Sequence, residues 1–334
     1  MIIIHRARPQ EAPTTEQGSL ELYVLEHNAP IPVDALWIDL LEPTPEEDRR
    51  VEAHLGIDIP TRTEMQDIEP SNLLYSENGA RYMTARILCH SDLQAPKLTP
   101  ISFIITEKAL VTVRYDEPRS FVMFANRAVK AGTCGPQPEA VLDGLIEAII
   151  DRAAEVLRKV GDEIEATSRS VFESEAATAD RGAGFQLVIR KLGRHGDLIS
   201  NVRESMVSLE RMLLFLSANM SRPKRASGFE AEWRTAVRDV QSIEEHASFL
   251  SSKMQFVLDA TLGLVSLEQN RIVKIFSVLA VIFMPPTLVA SIYGMNFKTG
   301  MWELEWQHGY AMALTMMLGA ALIPYLLFKW KKWL

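Results

Sequence analysis

The sequence predicts an α+β chain: an N-terminal α/β domain with a mixed sheet, a long helical stalk and two C-terminal transmembrane helices. Three observations predict it. Short apolar runs separated by turn residues fill the first 135 residues, and from Glu139 apolar residues recur at the helical period instead. Two uncharged stretches of nineteen residues, 275–293 and 310–328, lie near the C-terminal end. Each is about as long as a helix must be to cross ~30 Å of hydrocarbon. The expected organisation is a cytoplasmic α/β domain at 1–135, a cytoplasmic helical hairpin at 136–228 and a stalk helix at 229–274. The first span follows at 275–293, a periplasmic loop at 294–309, the second span at 310–328 and a basic cytoplasmic tail at 329–334.

Taken in order, SLELYVL (Ser19 to Leu25) and ALWIDLL (Ala35 to Leu41) read as strands. Thr44-Pro45-Glu46-Glu47 is a capping box with proline at the first helical position, so a helix opens there. Asn78-Gly79 joins two strand-like runs and signals a tight hairpin. ISFIITEKALVTVRY (Ile101 to Tyr115) reads as a second hairpin. Beyond Glu139 one amphipathic helix precedes an Ala/Gly-rich break at Ala176 to Gly184, and another runs from Phe185 to about Met220. SRPKRASG (Ser221 to Gly228) is the next break. From Phe229 a helix runs without interruption to Tyr293, roughly 95 Å at 1.5 Å per residue.

Composition excludes several classes. Apolar residues make up 47% of the 334, enough for a core. Ile2, Ile3 and Ile4 precede His5 and Arg6, too few for a signal-peptide core. Cys89 and Cys134 are too few and too far apart for a zinc site or a disulfide framework. From Ile272 onward five lysines face two glutamates, a balance of +3. Since the whole chain carries −8, the first 271 residues carry −11. A nucleic-acid partner wants a basic face and is not expected. An acidic surface suits a protein that handles cations, and serves solubility equally. No P-loop, dinucleotide fingerprint, HExxH or GxSxG occurs, so neither an enzyme nor an organic cofactor is expected; Glu244-Glu245 reads as a solvated face.

The spans carry the functional signal. Arg271 and Lys274 precede the first, and Lys329, Lys331 and Lys332 follow the second. By the positive-inside rule both outer ends face the cytoplasm, with Trp302, Trp306, Trp330 and Trp333 at the interfaces. Asn270, Ser277, Met284 and Ser291 recur every seven residues, and Ala280 and Thr287 fall close to the same stripe. Such a stripe points toward a partner helix or toward water. Pro285-Pro286 frees backbone carbonyls in mid-span. One chain with two spans cannot enclose a pore, so a pore requires a ring of copies. Neither span contains Asp, Glu or His, which leaves neutral oxygens near Gly294 and the Asn296 amide to select an ion, and leaves no intramembrane proton relay. Tyr293-Gly294-Met295-Asn296 reads either as an outer filter or as a turn leaving a helix.

EQNRIVKIFSVLAVIFMPPTLVASIYGMNF, with a short loop and a second span ending in FKWKKWL, resembles the CorA family of divalent-cation transporters. The resemblance is strong from Asp259 to Leu334 and extends to ALWIDLLEP and TRTEMQDIEPS. It implies a homopentamer in the lipid of the bacterial inner membrane, passing Mg²⁺, Co²⁺ and Ni²⁺, with Tyr293, Gly294, Met295 and Asn296 as selectivity filter. It implies that Asn270, Ser277, Ala280, Met284, Thr287 and Ser291 line the pore, with Met284, Val273 and Phe276 as a hydrophobic gate. It implies regulatory Mg²⁺ between subunits at Asp67 and Asp239, and a hydrated ion near Asp259. Glu303 and Glu305 of the loop would attract cations. The family's usual Met-Pro-Glu-Leu reads Met301-Trp302-Glu303-Leu304 here, in a loop one residue longer. A zinc or cobalt importer of the same superfamily is the neighbouring alternative, and a tail-anchored oligomeric regulator without transport the more distant one.

Overall fold

The computed structural model describes residues 1–7, 20–26, 29–92, 95–129, 135–173, 181–218, 229–295 and 307–331. Seven strands among them form one sheet: β1 (Ile2–Ala7), β2 (Leu20–Val24), β3 (Ala35–Leu41), β4 (Leu74–Glu77), β5 (Ala80–Cys89), β6 (Lys97–Ile105) and β7 (Leu110–Arg114). Their order is β2-β1-β3-β7-β6-β5-β4. β3 and β7 run parallel and the other neighbours antiparallel, so the sheet is mixed, as expected. Asn78 and Gly79 form the two-residue turn between β4 and β5, where Glu77 faces Ala80. Both have positive φ, 49° and 79°, the conformation in which a two-residue loop follows the twist of its strands. β1, which the sequence reading passed over, sits between β2 and β3 and pairs with both.

Helix α1 (Pro45–Leu55) starts as its capping box predicts. The Thr44 hydroxyl accepts from the Glu47 amide at 3.3 Å, and Glu47 Oε2 accepts from the Thr44 amide at 2.9 Å. A single turn, α2 (Pro70–Leu73), follows, then α3 (Arg119–Ala128), α4 (Pro138–Glu173), α5 (Arg181–Ala218), α6 (Phe229–Tyr293) and α7 (Gly309–Trp330). α5 begins at Arg181, inside the expected break, because a short Gly-Ala-Gly run is no barrier to a helix whose later turns are packed.

The chain forms two compact units, Met1–Leu258 and Asp259–Leu334, and the division falls inside α6. In the first, the sheet is covered on both faces. Trp37, Met83, Ala85, Ile101 and Phe103 point to the face packed by α3, α4, α5 and α6. Ile4, Ile38, Leu40, Ile104 and Val111 point to the face packed by Val51 of α1 and by Ile57 and Met65. Central strands buried on both faces read as continuous apolar runs, which is why β3, β6 and β7 lack alternation. α6 contributes Trp233, Ala236, Val240, Ala247, Leu250 and Val257, at alternating three- and four-residue steps once Ile243 and Met254 are included. That spacing places one continuous stripe on the core.

One polar network lies within this core. Asp39 accepts from Arg114 Nε at 3.0 Å and Nη2 at 2.8 Å, and from the Thr112 hydroxyl at 2.7 Å. Trp37 Nε1 donates to the same hydroxyl at 2.9 Å, and His5 stacks on Trp37 with ring centres 3.9 Å apart. Burial holds the His5 imidazole down to about 4, Asp39 opposing and Arg114 assisting.

Candidate pore and ion sites

In the second unit, α7 and the second-unit part of α6 present apolar side chains outward. Two helical stretches, Ala231–Tyr293 and Gly309–Trp330, contain windows of mean hydropathy 2.2 and 2.0, long and apolar enough to cross a membrane. Tyr293 Oη lies 3.9 Å from Met316 Sδ and ties α6 to α7. On α6, Asn270, Val273, Phe276, Ser277, Ala280, Met284, Thr287 and Ser291 are all exposed in the single chain, Met284 by 69% and Phe276 by 67%. Ala280, Met284, Thr287 and Ser291 line one shallow groove together with Phe283 and Leu288. Four expected stripe residues therefore share one surface.

Thr287 and Ser291 bring hydroxyl groups to a groove otherwise lined by apolar side chains. Pro285 and Pro286 have no N–H, so the helical carbonyls one turn earlier receive no backbone donor from them. The Thr287 hydroxyl donates to the Phe283 carbonyl at 2.7 Å. At the end of α6 the Gly294 amide donates to the Ala290 carbonyl at 2.9 Å and the Met295 amide to Ile292 at 3.3 Å. A Cβ on Gly294 would stand 3.0 Å from the Ala290 oxygen, a tight contact. Asn296, Glu303 and Glu305 lie outside the described residues, as do Lys298, Trp302 and Cys134.

The acidic residues of the first unit fall in two separate places. Asp67 lines a hollow with Glu64, Ser71, Asn72 and Tyr75. Its Oδ1 accepts from the Ile68 and Glu69 amides at 2.6 and 3.1 Å, and its Oδ2 from Asn72 Nδ2 at 2.7 Å. Asn72 first, and the two amides after it, hold this carboxyl below its ordinary value. Asp239 lines a cleft between α4 and α6 with Asp143, Glu147, Asp151 and Glu232. Burial, then Glu232 and Glu147, push Asp143 up to about 6. The two hollows share no lining residue, so a single chain does not bring Asp67 to Asp239. Among the described residues no three acidic, histidine or cysteine side chains converge as metal ligands. Asp259 is exposed at the start of the second unit.

The sequence reading singled out Asp239 and passed over its neighbours. Their signal was present: Asp143, Glu147 and Asp151 stand four residues apart and therefore share one face of α4. Glu244-Glu245 needs correction. Glu245 is exposed, but Glu244 is half-buried, with its carboxyl raised by burial and by Glu210.

An α/β unit followed by two exposed apolar helices, the first carrying a groove in which Ala280, Thr287 and Ser291 alternate with Phe283, Met284 and Leu288, defines a membrane protein with two C-terminal spans. The family model described as CorA-like Mg²⁺ transporter protein matches residues 34–331, and the chain belongs to that family. It is 33% identical over 320 residues to the magnesium transport protein CorA of Escherichia coli K12, covering 96% of this chain and 98% of that one. To the magnesium transport protein CorA of Salmonella typhimurium it is 35% identical over 304 residues, 90% of this chain and 93% of the relative. The complete CorA structure from Methanocaldococcus jannaschii matches with TM-score 0.72 at 16% identity, covering 100% and 99% of the two chains. The full-length CmaX structure matches with TM-score 0.64 at 13% identity, covering 100% and 98%. At such identities these two structures speak for the fold.

Proposed function

We propose that the protein is a Mg²⁺ channel whose cargo ion enters the cell down the membrane potential, through a pore at the centre of a homopentamer. The observation that carries this reading is the family match across residues 34–331, which includes both spans. That family is one of transporters and not an enzyme class. At −100 mV a divalent ion gains about 4.6 kcal/mol on entry, twice the ~2.3 kcal/mol per unit charge, so no nucleotide is needed. Co²⁺ and Ni²⁺ follow the same path.

In this reading the groove of Ala280, Met284, Thr287 and Ser291 faces the axis, continued by Ser277 and Asn270. Thr287, Ser291 and the carbonyls freed by Pro285 and Pro286 offer neutral oxygens to a hydrated ion. Mg²⁺ gives up its water reluctantly, and hydrogen bonds to the hydration shell leave it intact. Tyr293, Gly294, Met295 and Asn296 form the outer filter, and Glu303 and Glu305 draw cations to it. Met284, Val273 and Phe276 close the path by dewetting. Both termini face the cytoplasm of an inner-membrane protein.

Regulation uses Mg²⁺ bound between copies, at Asp67 and Asp239, with Asp259 holding a hydrated ion nearer the exit. One Asp67 oxygen accepts a single hydrogen bond, from Asn72, and retains a lone pair for a metal or its water. The carboxylates around Asp239 repel one another, and a bound cation relieves that repulsion.

The test is ion flux into proteoliposomes under an inside-negative potential, with Mg²⁺, Co²⁺, Ni²⁺ and Zn²⁺ separately, beside Asn296→Ala. Mg²⁺ entry that the variant abolishes is the expected result. Zn²⁺ entry dependent on a pH gradient, without Mg²⁺ entry, moves the protein to the zinc importers. Silence for all four ions in an assembled oligomer leaves a regulator anchored by its spans.

A further inference from the structure

Three buried polar groups of the first unit, on three different helices, converge on one small cavity. Ser120 of α3, Arg152 of α4 and Ser205 of α5 are 2%, 6% and 1% exposed. Ser120 Oγ, Arg152 Nε and Ser205 Oγ have no hydrogen-bond partner among the described residues. All three residues line the same space, whose other walls are apolar, Ile87, Ile149, Val202 and Met206 among them. Buried polar groups are almost always satisfied, and three orphans facing one cavity share a missing partner. We propose that this partner is a single structural water molecule, bound between Ser120 Oγ, Arg152 Nε and Ser205 Oγ.

Size and charge both select water. The cavity measures about 10 Å³, the room that one water needs, and buried waters commonly make about three hydrogen bonds. The remainder of the Arg152 guanidinium is already engaged. Nη1 donates to Glu155 at 2.6 Å, and Nη2 donates to Asp92 and to the Ser91 hydroxyl, each at 2.7 Å. Asp92 also pairs with Arg119. Two guanidinium groups thus face two carboxylates, and the cluster has no net charge for an anion to balance. A neutral occupant that accepts from Arg152 Nε–H and from one serine, and donates to the other serine, satisfies all three groups. Its place is a polar joint in an otherwise apolar seam, where α3, α4 and α5 meet on β5.

The experiment is a crystal structure of the full-length protein at a resolution that shows ordered water, with a parallel soak in bromide. The expected result is one compact peak within hydrogen-bond distance of the three atoms, without anomalous signal after the soak. Absence of a peak, where other buried waters of the same unit are visible, overturns the proposal. Anomalous bromide density at the site overturns it as well and assigns a halide site. A second measurement needs only thermal midpoints of Ser120→Ala, Ser205→Ala and the double variant. Loss of a shared water makes the double shift smaller than the two single shifts combined, whereas strict additivity refutes a shared partner.

Discussion

The two units of this chain solve the burial problem in opposite ways. In Met1–Leu258, Trp37, Phe103, Met83 and Trp233 are almost completely enclosed, and both faces of the sheet are covered. In Asp259–Leu334, Thr261 and Ala313 are the buried residues among those described, while Phe276, Phe283, Met284, Leu288 and Leu318 are exposed by more than half. The first unit finishes its core with one copy of the chain. Among its described residues the second has no comparable core, and its large apolar side chains lie exposed on the single chain. The same kinds of apolar side chain are enclosed by packing in one unit and left on the surface in the other.

Substitutions sharpen that contrast. The largest effect on stability is expected at Asp39→Ala, which leaves Arg114 charged and buried without its partner. The loss is about 3–5 kcal/mol, read from the unfolding midpoint of the full-length protein in detergent. Adding Arg114→Leu should recover much of it; failure to recover would mean that Asp39 acts through Thr112 instead. Next comes Leu250→Ala, in the α6 stripe and 3% exposed, at about 2–5 kcal/mol. Its counterpart in the second unit, Leu279→Ala, is 44% exposed and should change the stability by less than ~0.5 kcal/mol. Equal losses at both leucines would break the comparison.

A third test uses pH. The folded-state value of His5, about 4, lies below its ordinary 6.5, so protons bind preferentially to the unfolded chain. Stability is full above pH 6.5 and declines as pH falls toward 4, by roughly 3 kcal/mol at most. Asp48 and Asp143, both pushed up to about 6, act in the opposite sense over part of this range. The informative quantity is therefore the difference between the wild-type protein and His5→Phe, which should shed the His5 component of the slope; an unchanged slope would count against a neutral buried imidazole. Smaller still is Thr44→Ala, which removes one half of the α1 capping box and should cost about 1 kcal/mol. The smallest stability change belongs to Met284→Ser, at an exposed groove residue, yet this variant should raise Mg²⁺ flux in proteoliposomes by wetting the path. A destabilised Met284→Ser with unaltered flux would return the groove to helix packing.

Much of this architecture was legible in advance, and the legible parts share a property. The α1 capping box, the Asn78-Gly79 turn and the limits of α6 at Phe229 and Tyr293 depend on residues close in sequence. The illegible parts depend on distant ones. Ile2–Ala7 looked like a short apolar start and proved to be a central strand, because its partners at 20–24 and 35–41 determine its role. Three acidic neighbours of Asp239 come from α4, about ninety residues earlier, and the raised carboxyl of Glu244 reflects burial and Glu210 of α5, some thirty residues away.

The sequence by itself therefore determined the long α6, the α1 cap and the Asn78-Gly79 turn, and by family resemblance the kind of protein. Local periodicity and terminal hydrogen bonding are carried by residues within a few positions of each other, and a chain cannot conceal them. Tertiary structure alone decided the parallel pairing of β3 with β7, the enclosure of Asp39 with Arg114 and Thr112, and the meeting of Ser120, Arg152 and Ser205. Each joins groups some thirty to eighty-five residues apart, where no period of the sequence records which side chains will share a low-dielectric interior.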